Sequence, residues 1–359
     1  MYRIIGCMTG TSCDGLDLAY IITDGKSQLT IGPSTTIPFH DNYKNTLRKR
    51  VILKAARHFM DDELTKDIAK YHALHIKEFI QKNQLEVDAI GFHGQTVWHD
   101  PENGLTVQLG DCQMLANILG IKVVGQVRLN DVANGGQGAP LAPIYHKVIS
   151  AKLPKPVVVI NIGGVSNLTF ITEDGLFAGD VGPGNALIDD WMEQKTGTAQ
   201  DTDGSCAKQG IIIPSILNKW MESQFFSQVL PKSLDRMHFH KILDDCQKLS
   251  IEDGAATLTE FTVQSIVHGV QNLPEQPEYI VICGGGYHNP VMIGGLRKNF
   301  ENIEIISVSA LGFDENAIEA QLMAYLAARF FENLPSSFPS TTNVSVPTVA
   351  GQIFLAGSI

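Results

Sequence analysis

Six loops of this chain combine glycine with polar side chains that can bind or activate a ligand, at residues 10–15, 91–99, 128–141, 161–167, 179–185 and 283–290. Glycine lets the backbone adopt a positive φ and approach a ligand closely. Backbone N–H groups in such loops bind anions without a positively charged side chain. Most of these loops follow an apolar stretch typical of a buried strand, where α/β proteins place their sites. Together they favour a small phosphorylated ligand over a protein partner.

The first of these loops lies between two predicted strands and contains two hydroxyl side chains, Thr11 and Ser12. Asp14 and Asp17 follow and could hold a metal ion. We therefore predict a phosphate-binding β-hairpin, although the spacing of a Walker A loop is absent. The same residue types also suit an ordinary hairpin turn.

Asp180 is the strongest candidate for a general base, because its carboxylate ends a short predicted strand and faces a glycine turn. It could instead cap the helix that follows. Arg128 could bind a carboxylate ligand through two hydrogen bonds, or form a surface ion pair with Asp131. His93 and His99 have no third ligand nearby, which disfavours zinc. His93 is then either a structural histidine or a hydrogen-bonding partner of the substrate.

The elements that must position these residues alternate between strands and helices, which indicates an α/β fold. The predicted strands cover residues 3–8, 16–22, 89–92, 122–127, 156–162, 168–172, 279–283 and 304–308. The predicted helices cover residues 62–82, 185–196, 255–273 and 317–332. A strand ends in a glycine turn near residue 9 and again near residue 163, which suggests two similar halves that share a cleft. Residues 334–342 (LPSSFPSTT) are predicted to form an extended tail or a docking loop.

Length and composition exclude several classes of protein. A chain of 359 residues is long enough for two domains or one large one. Its formal net charge of −11 makes it a poor general binder of nucleic acid or of anionic membranes. We expect no transmembrane helix and no signal peptide. Six scattered cysteines without a C-x-x-C pair indicate reduced thiols in a cytoplasmic protein, and no metal ligands are assigned.

Nine stretches, in the same order along the chain, closely resemble the anhydro-N-acetylmuramic acid kinase family. They are residues 10–17 (GTSCDGLD), 93–97 (HGQTV), 108–111 (QLGD), 131–143 (DVANGGQGAPLAP), 161–168 (NIGGVSNL), 179–185 (GDVGPGN), 256–262 (ATLTEFT), 283–290 (CGGGYHNP) and 319–327 (EAQLMAYLA). The resemblance implies an α/β fold of two RNase H-like domains around a central cleft, as in the actin, hexokinase and Hsp70-like ATPase superfamily. We expect the phosphate hairpin in residues 1–130, and the catalytic aspartate and nucleotide loop in residues 131–359. The final helix and tail could pack back on the first domain.

The resemblance also implies a reaction in bacterial cell-wall recycling. ATP and water would open the 1,6-anhydro ring of 1,6-anhydro-N-acetylmuramic acid, and O6 would be phosphorylated to give N-acetylmuramic acid 6-phosphate and ADP. Asp180 matches the family's catalytic aspartate, which activates water for attack on the anomeric carbon. This order is chemically sensible, because the substrate has no free O6 hydroxyl to deprotonate, and attack at C1 resembles that of an inverting glycosidase. Mg²⁺ is expected to accompany ATP.

The family's site residues carry over position by position. Those matched to ATP are Gly10, Thr11, Ser12, Cys13, Asp14, Gly15, Leu16, Asp17, Gly163, Gly164, Gly284, Gly285, Gly286 and Asn289. Those matched to the sugar are His93, Gln95, Thr96, Arg128, Asp131 and Glu319, of which Glu319 could instead cap its helix.

Two departures from the family pattern leave other functions open. Val181 stands where the family usually has Thr, and Leu129 where it often has Arg. The alternatives are a levoglucosan-type anhydrosugar kinase and a non-catalytic sugar or nucleotide sensor on the same fold. The expected partner is a small anhydrosugar, with neither nucleic acid nor membrane, and a homodimer is a family-level expectation.

Overall fold

The computed structural model describes residues 1–10, 13–52 and 62–357, which form an α/β protein. Its strands are β1 (Tyr2–Thr9), β2 (Gly15–Thr23), β3 (Leu29–Pro38), β4 (Ala89–Asp100), β5 (Leu105–Leu109), β6 (Val123–Gly125), β7 (Val157–Ile162), β8 (Val165–Ile171), β9 (Leu176–Pro183), β10 (Tyr279–Cys283), β11 (Glu304–Ser307) and β12 (Gln352–Phe354). Its helices are α1 (Asp41–Ile52), α2 (Asp62–Asn83), α3 (Cys112–Leu119), α4 (Leu129–Ala133), α5 (Pro143–Ile149), α6 (Ala186–Thr196), α7 (Pro214–Met221), α8 (Leu243–Cys246), α9 (Ile251–Gln271), α10 (Pro290–Asn299), α11 (Ile318–Phe331) and α12 (Pro339–Thr342).

The chain divides into two compact units. The first consists of Met1–Ala151 together with Asn316–Ile359, and the second of Lys152–Glu315. The boundary expected after residue 130 therefore falls inside the first unit. The reason is that α5 packs there, where the Tyr145 hydroxyl donates a hydrogen bond to Gln321 on α11 at 2.9 Å.

The sheet of the first unit has the strand order β12-β6-β4-β1-β2-β3, and β5 pairs with β4. Strand β2 runs antiparallel to both β1 and β3, whereas β4 runs parallel to β1 and β6 runs parallel to β4. Because side chains alternate along a strand, β1 presents Ile5 and Cys7 to one face and Gly6 to the other. Ile5 and Cys7 join a core with residues of α2 and α3. Gly6 lies against α11.

The sheet of the second unit has the order β11-β10-β7-β8-β9. Strand β8 runs antiparallel to both β7 and β9, whereas β10 runs parallel to β7 and β11 runs parallel to β10. The first unit has the same pattern in β6-β4-β1-β2-β3, so each unit contains three antiparallel strands followed by two parallel ones. The core of the second unit includes Trp191 from α6 and Phe261 from α9, both fully buried.

Two local expectations differ from the structure. The strand predicted at residues 89–92 continues to Asp100, so the polar residues after it belong to β4 itself and not to a loop. The segment at residues 334–342 is not an extended tail, because Ser337 bridges to Thr348 and residues 339–342 form α12. Arg329 on α11 holds this segment by donating hydrogen bonds to the Pro335 carbonyl. Among the described helices, none combines the length and apolar character needed to cross a membrane.

Candidate functional site

The predicted phosphate hairpin joins the antiparallel strands β1 and β2. Cys13 adopts a positive φ of 54°, and its N–H donates to the Gly10 carbonyl at 3.1 Å. Gly15 begins β2, and a Cβ there would press against the Ile37 backbone of β3. Thr11 and Ser12, both assigned to ATP from sequence, lie outside the described residues.

The remaining hairpin residues have distinct surroundings. Asp14 forms ion pairs with Lys44 and Arg48 of α1, so its carboxylate is engaged by cations of the protein. Asp17 accepts a hydrogen bond from the Thr36 hydroxyl at 2.6 Å. The Leu16 side chain is fully buried in the core, so only its backbone can face a nucleotide.

His93 and Arg128 form a hydrogen-bonded pair in the first unit. The Arg128 Nε donates to His93 Nε2 at 3.1 Å, and its Nη1 donates to the Gly138 carbonyl at 2.7 Å. The other ring nitrogen of His93 contacts the Gly94 carbonyl at 2.8 Å. Burial and the Arg128 charge lower the pKa of His93 to about 3, so its ring is neutral. Burial also lowers the pKa of Arg128, which Glu319 and Asp131 oppose.

Asp131 is buried, and both of its oxygens have partners inside the protein. Oδ1 accepts from the Gly138 N–H at 2.5 Å, and Oδ2 accepts from the Thr342 hydroxyl at 2.7 Å. The carboxylate therefore anchors the glycine loop after α4 and the segment at α12. Direct binding of the sugar by this carboxylate, expected from sequence, does not fit these contacts.

Gln95 connects β4 to the hairpin. Its Nε2 donates to the Gly10 carbonyl at 3.2 Å, and the side chain is buried. Its Oε1 is buried without a hydrogen-bond partner among the described residues. The hydroxyl of the neighbouring Thr96 accepts a hydrogen bond from Gln108 at 3.4 Å. Of Gln95 and Thr96, Gln95 is thus the residue whose side-chain oxygen is left without a partner and can accept a hydrogen bond from a ligand.

Glu319 lies in the first turn of α11 with its side chain exposed to solvent. The protein atoms around the carboxylate reduce its hydration, which raises its pKa. The Asp17 carboxylate raises this pKa as well, whereas the Arg128 charge lowers it. The structure thus brings both Asp17 and Arg128 of the first unit within electrostatic range of Glu319.

Asp180 lies on β9 in the second unit, where a backbone segment contacts it directly. The Leu234 N–H donates to Asp180 Oδ2 at 2.6 Å, and the Asp180 N–H donates to the Lys232 carbonyl at 2.8 Å. Burial raises the pKa of Asp180 to about 6, against the lowering effects of the Leu234 hydrogen bond and the Lys232 charge. Asp180 is therefore mainly ionised at neutral pH and can still accept a proton.

The glycine turns of the second unit pack on the start of α6. Gly163 and Gly164 connect β7 to β8, and their carbonyls accept hydrogen bonds from the N–H groups of Asn185 at 2.7 Å and Ala186 at 3.2 Å. A Cβ on Gly184 would collide with the Gly163 carbonyl. The close contact between these backbones therefore requires glycine at position 184.

The third glycine loop follows β10 and contains Gly284, Gly285 and Gly286. Gly284 has a φ of 81°, which favours glycine. Asn289 ends the loop and caps α10, since its Oδ1 accepts from the N–H groups of Val291 and Met292. A cavity of about 130 Å³ lies beside this loop. Its lining includes Asn185, Asp189, Asp201, Thr202, Gly285, His288 and Asn289.

Sequence reasoning missed several lining residues of this cavity. Asp189 lies inside the predicted helix at residues 185–196, and Asp201 and Thr202 lie in a segment without a quoted motif. His288 belongs to the CGGGYHNP stretch, so that motif contained a signal for it. Among the described residues, no group of three or more His, Cys, Asp or Glu side chains could hold a metal ion by itself.

Comparisons with known proteins cover nearly the whole chain. The model of the family described as anhydro-N-acetylmuramic acid kinase matches residues 2–356. The anhydro-N-acetylmuramic acid kinase of Agrobacterium fabrum is 42% identical over 369 residues, covering 98% of this chain and 98% of that protein. The enzyme of the same name from Gluconobacter oxydans is 40% identical over 365 residues, covering 98% and 99%. The solved structure of (R)-2-hydroxyglutaryl-CoA dehydratase component A from Acidaminococcus fermentans has a TM-score of 0.46 at 14% identity, covering 91% of this chain and 99% of that chain.

Proposed function

Since this chain belongs to the anhydro-N-acetylmuramic acid kinase family, we propose which of its residues carry out the family's reaction. The protein is an ATP-dependent phosphotransferase that acts on anhydro-N-acetylmuramic acid in cell-wall recycling. The proposal assigns proton transfer to Asp180, the nucleotide to the glycine loops, and recognition of the sugar to Arg128 and its neighbours.

Asp180 acts as the general base. It takes a proton from water as the water oxygen bonds to C1 of the anhydrosugar, and the bond between C1 and O6 breaks. O6 then bonds to the γ-phosphorus of ATP, and the bond from that phosphorus to the ADP oxygen breaks. The products are N-acetylmuramic acid 6-phosphate and ADP, and the proton passes from Asp180 to solvent.

The observation that best supports this role is the hydrogen bonding of the Asp180 carboxylate. The Leu234 N–H engages Oδ2 at 2.6 Å, which fixes the orientation of the carboxylate. A pKa of about 6 lies close to neutral pH, where a general base is most effective. At neutral pH most of the carboxylate is ionised and ready to accept the proton.

The hairpin and the glycine loops are the segments proposed to contact ATP. Residues 10–17 bind the phosphates chiefly through backbone N–H groups, because the Asp14 carboxylate is engaged by Lys44. The loops at Gly163, Gly164, Gly284, Gly285 and Gly286 bind the rest of the nucleotide. Asn289 supports this by capping α10, and the polar cavity next to it provides space for part of the ligand.

Mg²⁺ is proposed to enter with ATP. In phosphotransferases this ion uses one or two carboxylates together with the substrate's phosphates, so a cluster of three protein ligands is not required. Reduced hydration raises the pKa of Glu319, and the Asp17 carboxylate raises it further, so a divalent cation near these two carboxylates would relieve their repulsion. Asp17 is therefore the side chain that would hold Mg²⁺, which would neutralise charge on the transferred phosphate.

The sugar is recognised by residues of the first unit. Arg128, oriented by His93, binds the carboxylate of the lactyl group, and Gln95 and Thr96 offer hydrogen bonds to sugar substituents. Glu319 contributes a further acceptor. We assign Asp131 a positioning role, since its carboxylate holds the glycine loop whose Gly138 carbonyl accepts from Arg128.

Val181, which departs from the family pattern, is buried among apolar residues of the second unit. Its side chain therefore contributes to the packing of that core. The choice between the muramic acid substrate and a levoglucosan-type one is left to the labelling experiment below. The homodimer, the cytoplasmic location and the lack of nucleic-acid binding stay predictions from the resemblance and the net charge.

The substitution Asp180→Asn tests the general base. Asparagine preserves an oxygen for the Leu234 N–H but cannot take a proton, so turnover should fall by at least about 100-fold. Binding of a non-hydrolysable ATP analogue, measured by calorimetry, should be unchanged. Asp174→Asn, at an exposed turn of the same sheet, is the matched control and should retain full activity.

Isotope labelling of the wild-type reaction completes this test. With Mg-ATP and 1,6-anhydro-N-acetylmuramic acid in ¹⁸O water, mass spectrometry of the product should find the label at C1 and none in the phosphate. Retained turnover in Asp180→Asn would refute the assignment of the base. A preference for levoglucosan would change the substrate, and no sugar phosphate from either sugar would favour a sensor.

A further inference from the structure

The outer edge of β9 is covered by a short segment without regular structure. β9 is the last strand of its sheet, and residues 230–234 lie along it. The Asp180 N–H donates to the Lys232 carbonyl, and the Leu234 N–H donates to the Asp180 carboxylate. The backbone of the segment therefore contacts both the backbone and the side chain of Asp180.

Gly179 permits this close contact. A Cβ at this position would lie 2.7 Å from the Leu230 side chain and about 3 Å from the Lys232 backbone. Such distances are shorter than a normal van der Waals contact, so a larger residue would push the segment away from the strand. The glycine immediately before Asp180 thus serves the packing of residues 230–232.

The Lys232 side chain is itself held in place. Its ammonium donates to the Phe225 carbonyl at 2.9 Å and lies 4.1 Å from the centre of the Phe225 ring. Burial lowers the pKa of Lys232, and Asp180 raises it. The other titratable group near the ammonium is His268 on α9, whose pKa is lowered by burial and by Lys232.

We propose that Lys232 is a positioning residue for the catalytic carboxylate: its carbonyl binds the Asp180 N–H, its ammonium is anchored on Phe225 next to β9, and the Leu234 N–H two residues later holds one carboxylate oxygen. This inference rests on the proposed role of Asp180 as the base. The segment matches none of the nine stretches that carry the family resemblance.

The physical argument concerns charge in a partly buried site. Burial alone disfavours an ionised carboxylate, and a nearby cation offsets this effect. Lys232 lowers the pKa of Asp180, which would otherwise lie further above its usual range. Without the cation, a larger fraction of the base would be protonated and inactive in mildly acidic solution.

The pH profile of the full-length enzyme tests this proposal with Lys232→Met, which keeps the apolar stem and removes the charge. The readout is the ratio of kcat/KM at pH 6 to kcat/KM at pH 8, with ATP saturating. We expect this ratio to be roughly twofold lower in the variant than in wild type, equivalent to an upward shift of about half a unit in the pKa of Asp180. Lys232→Arg restores the cation and should restore the wild-type ratio.

Controls separate this effect from loss of folding and from loss of the base. Lys241→Met removes the same charge at an exposed position and should leave the ratio unchanged. Lys232→Gln provides a second neutral variant if thermal unfolding shows that Lys232→Met is unfolded. If Lys232→Met or Lys232→Gln is folded and its ratio of kcat/KM at pH 6 to pH 8 equals that of wild type, the role of Lys232 is overturned. If Asp180→Asn is active, the proposed role of Asp180 as the base is overturned instead.

Discussion

His93 can accept a hydrogen bond from Arg128 only while its ring is neutral. One ring nitrogen contacts the Gly94 carbonyl and must carry the hydrogen, so the other is the acceptor for Arg128 Nε. A pKa lowered to about 3 preserves this arrangement throughout the neutral range. The Gly138 carbonyl fixes a second nitrogen of the guanidinium. At the scale of single residues, Arg128 is therefore prepared for an anion before any ligand binds.

Replacing Arg128 with Lys tests its proposed contact with the lactyl carboxylate. Lysine keeps the charge but loses the planar fork of donors and cannot reproduce the contacts with both His93 and Gly138. We expect KM for anhydro-N-acetylmuramic acid to rise about tenfold or more, since a hydrogen bond between charged groups contributes roughly 1.5–3 kcal/mol. Steady-state kinetics at saturating ATP measures this change.

A substrate without the lactyl group provides the control for Arg128→Lys. The kcat/KM for 1,6-anhydro-N-acetylglucosamine should change little in Arg128→Lys. The ratio of kcat/KM for anhydro-N-acetylmuramic acid to that for this second sugar should therefore decrease. An equal loss for both sugars would instead assign Arg128 a general structural role.

At the scale of elements, two glycines allow α11 to approach the sheet of the first unit. A Cβ on Gly6 of β1 would collide with the Ala320 carbonyl, and a Cβ on Gly91 of β4 would collide with the Met323 carbonyl. Both atoms belong to the backbone of α11, which cannot move aside as a flexible side chain can. Since Glu319 lies in the first turn of α11, this close packing also sets where that carboxylate lies.

Gly6→Ala should destabilise the protein by about 1–3 kcal/mol, the usual cost of overpacking a well-packed interior. Chemical denaturation followed by circular dichroism measures the free energy of unfolding. Gly294→Ala on α10 is the matched control, because its Cβ would meet no atom within 4 Å. The control should be neutral or stabilising by up to about 1 kcal/mol, as alanine favours helices over glycine. Equal stability of Gly6→Ala and wild type would show that α11 can shift without cost.

At the scale of the whole molecule, the two units differ in how the chain builds them. The second unit is continuous, from Lys152 to Glu315, and has its own sheet and core. The first is assembled from both ends of the chain, because α11 packs on β1, β2 and β4, and β12 pairs with β6. Its folding therefore requires two segments that are separated by the whole second unit in the sequence.

Two fragments test this difference. Residues 152–315 expressed alone should unfold in one cooperative thermal transition, since their core does not depend on the chain ends. Residues 1–151 alone should show no such transition, because without α11 and β12 one face and one edge of the sheet are uncovered. Adding residues 316–359 through a short linker after residue 151 should restore cooperative unfolding. A cooperative transition in the 1–151 fragment would contradict the required role of the C-terminal segment.

The elements were predictable wherever their pattern is local. Apolar β-branched runs indicated β1, β7 and β10, and an amphipathic pattern indicated α2. β3 was missed because Gly32 and Pro33 interrupt its apolar pattern, and such residues are tolerated at the edge of a sheet, where β3 lies. β4 was predicted too short because polar residues such as His93 and Gln95 are buried within it.

The sequence by itself determined the α/β class, the glycine loops, the candidate base Asp180 and, through nine ordered motifs, the family. These features depend on side-chain periodicity and turn chemistry within a few residues. Only the tertiary structure decided that Asp131 anchors loops by bonding Thr342, that Arg329 docks the segment after α11, and that residues 230–234 hold Asp180. The partners in these contacts are separated by up to 211 positions in the chain. Tertiary packing brings these partners together, so no local sequence pattern predicts the contacts.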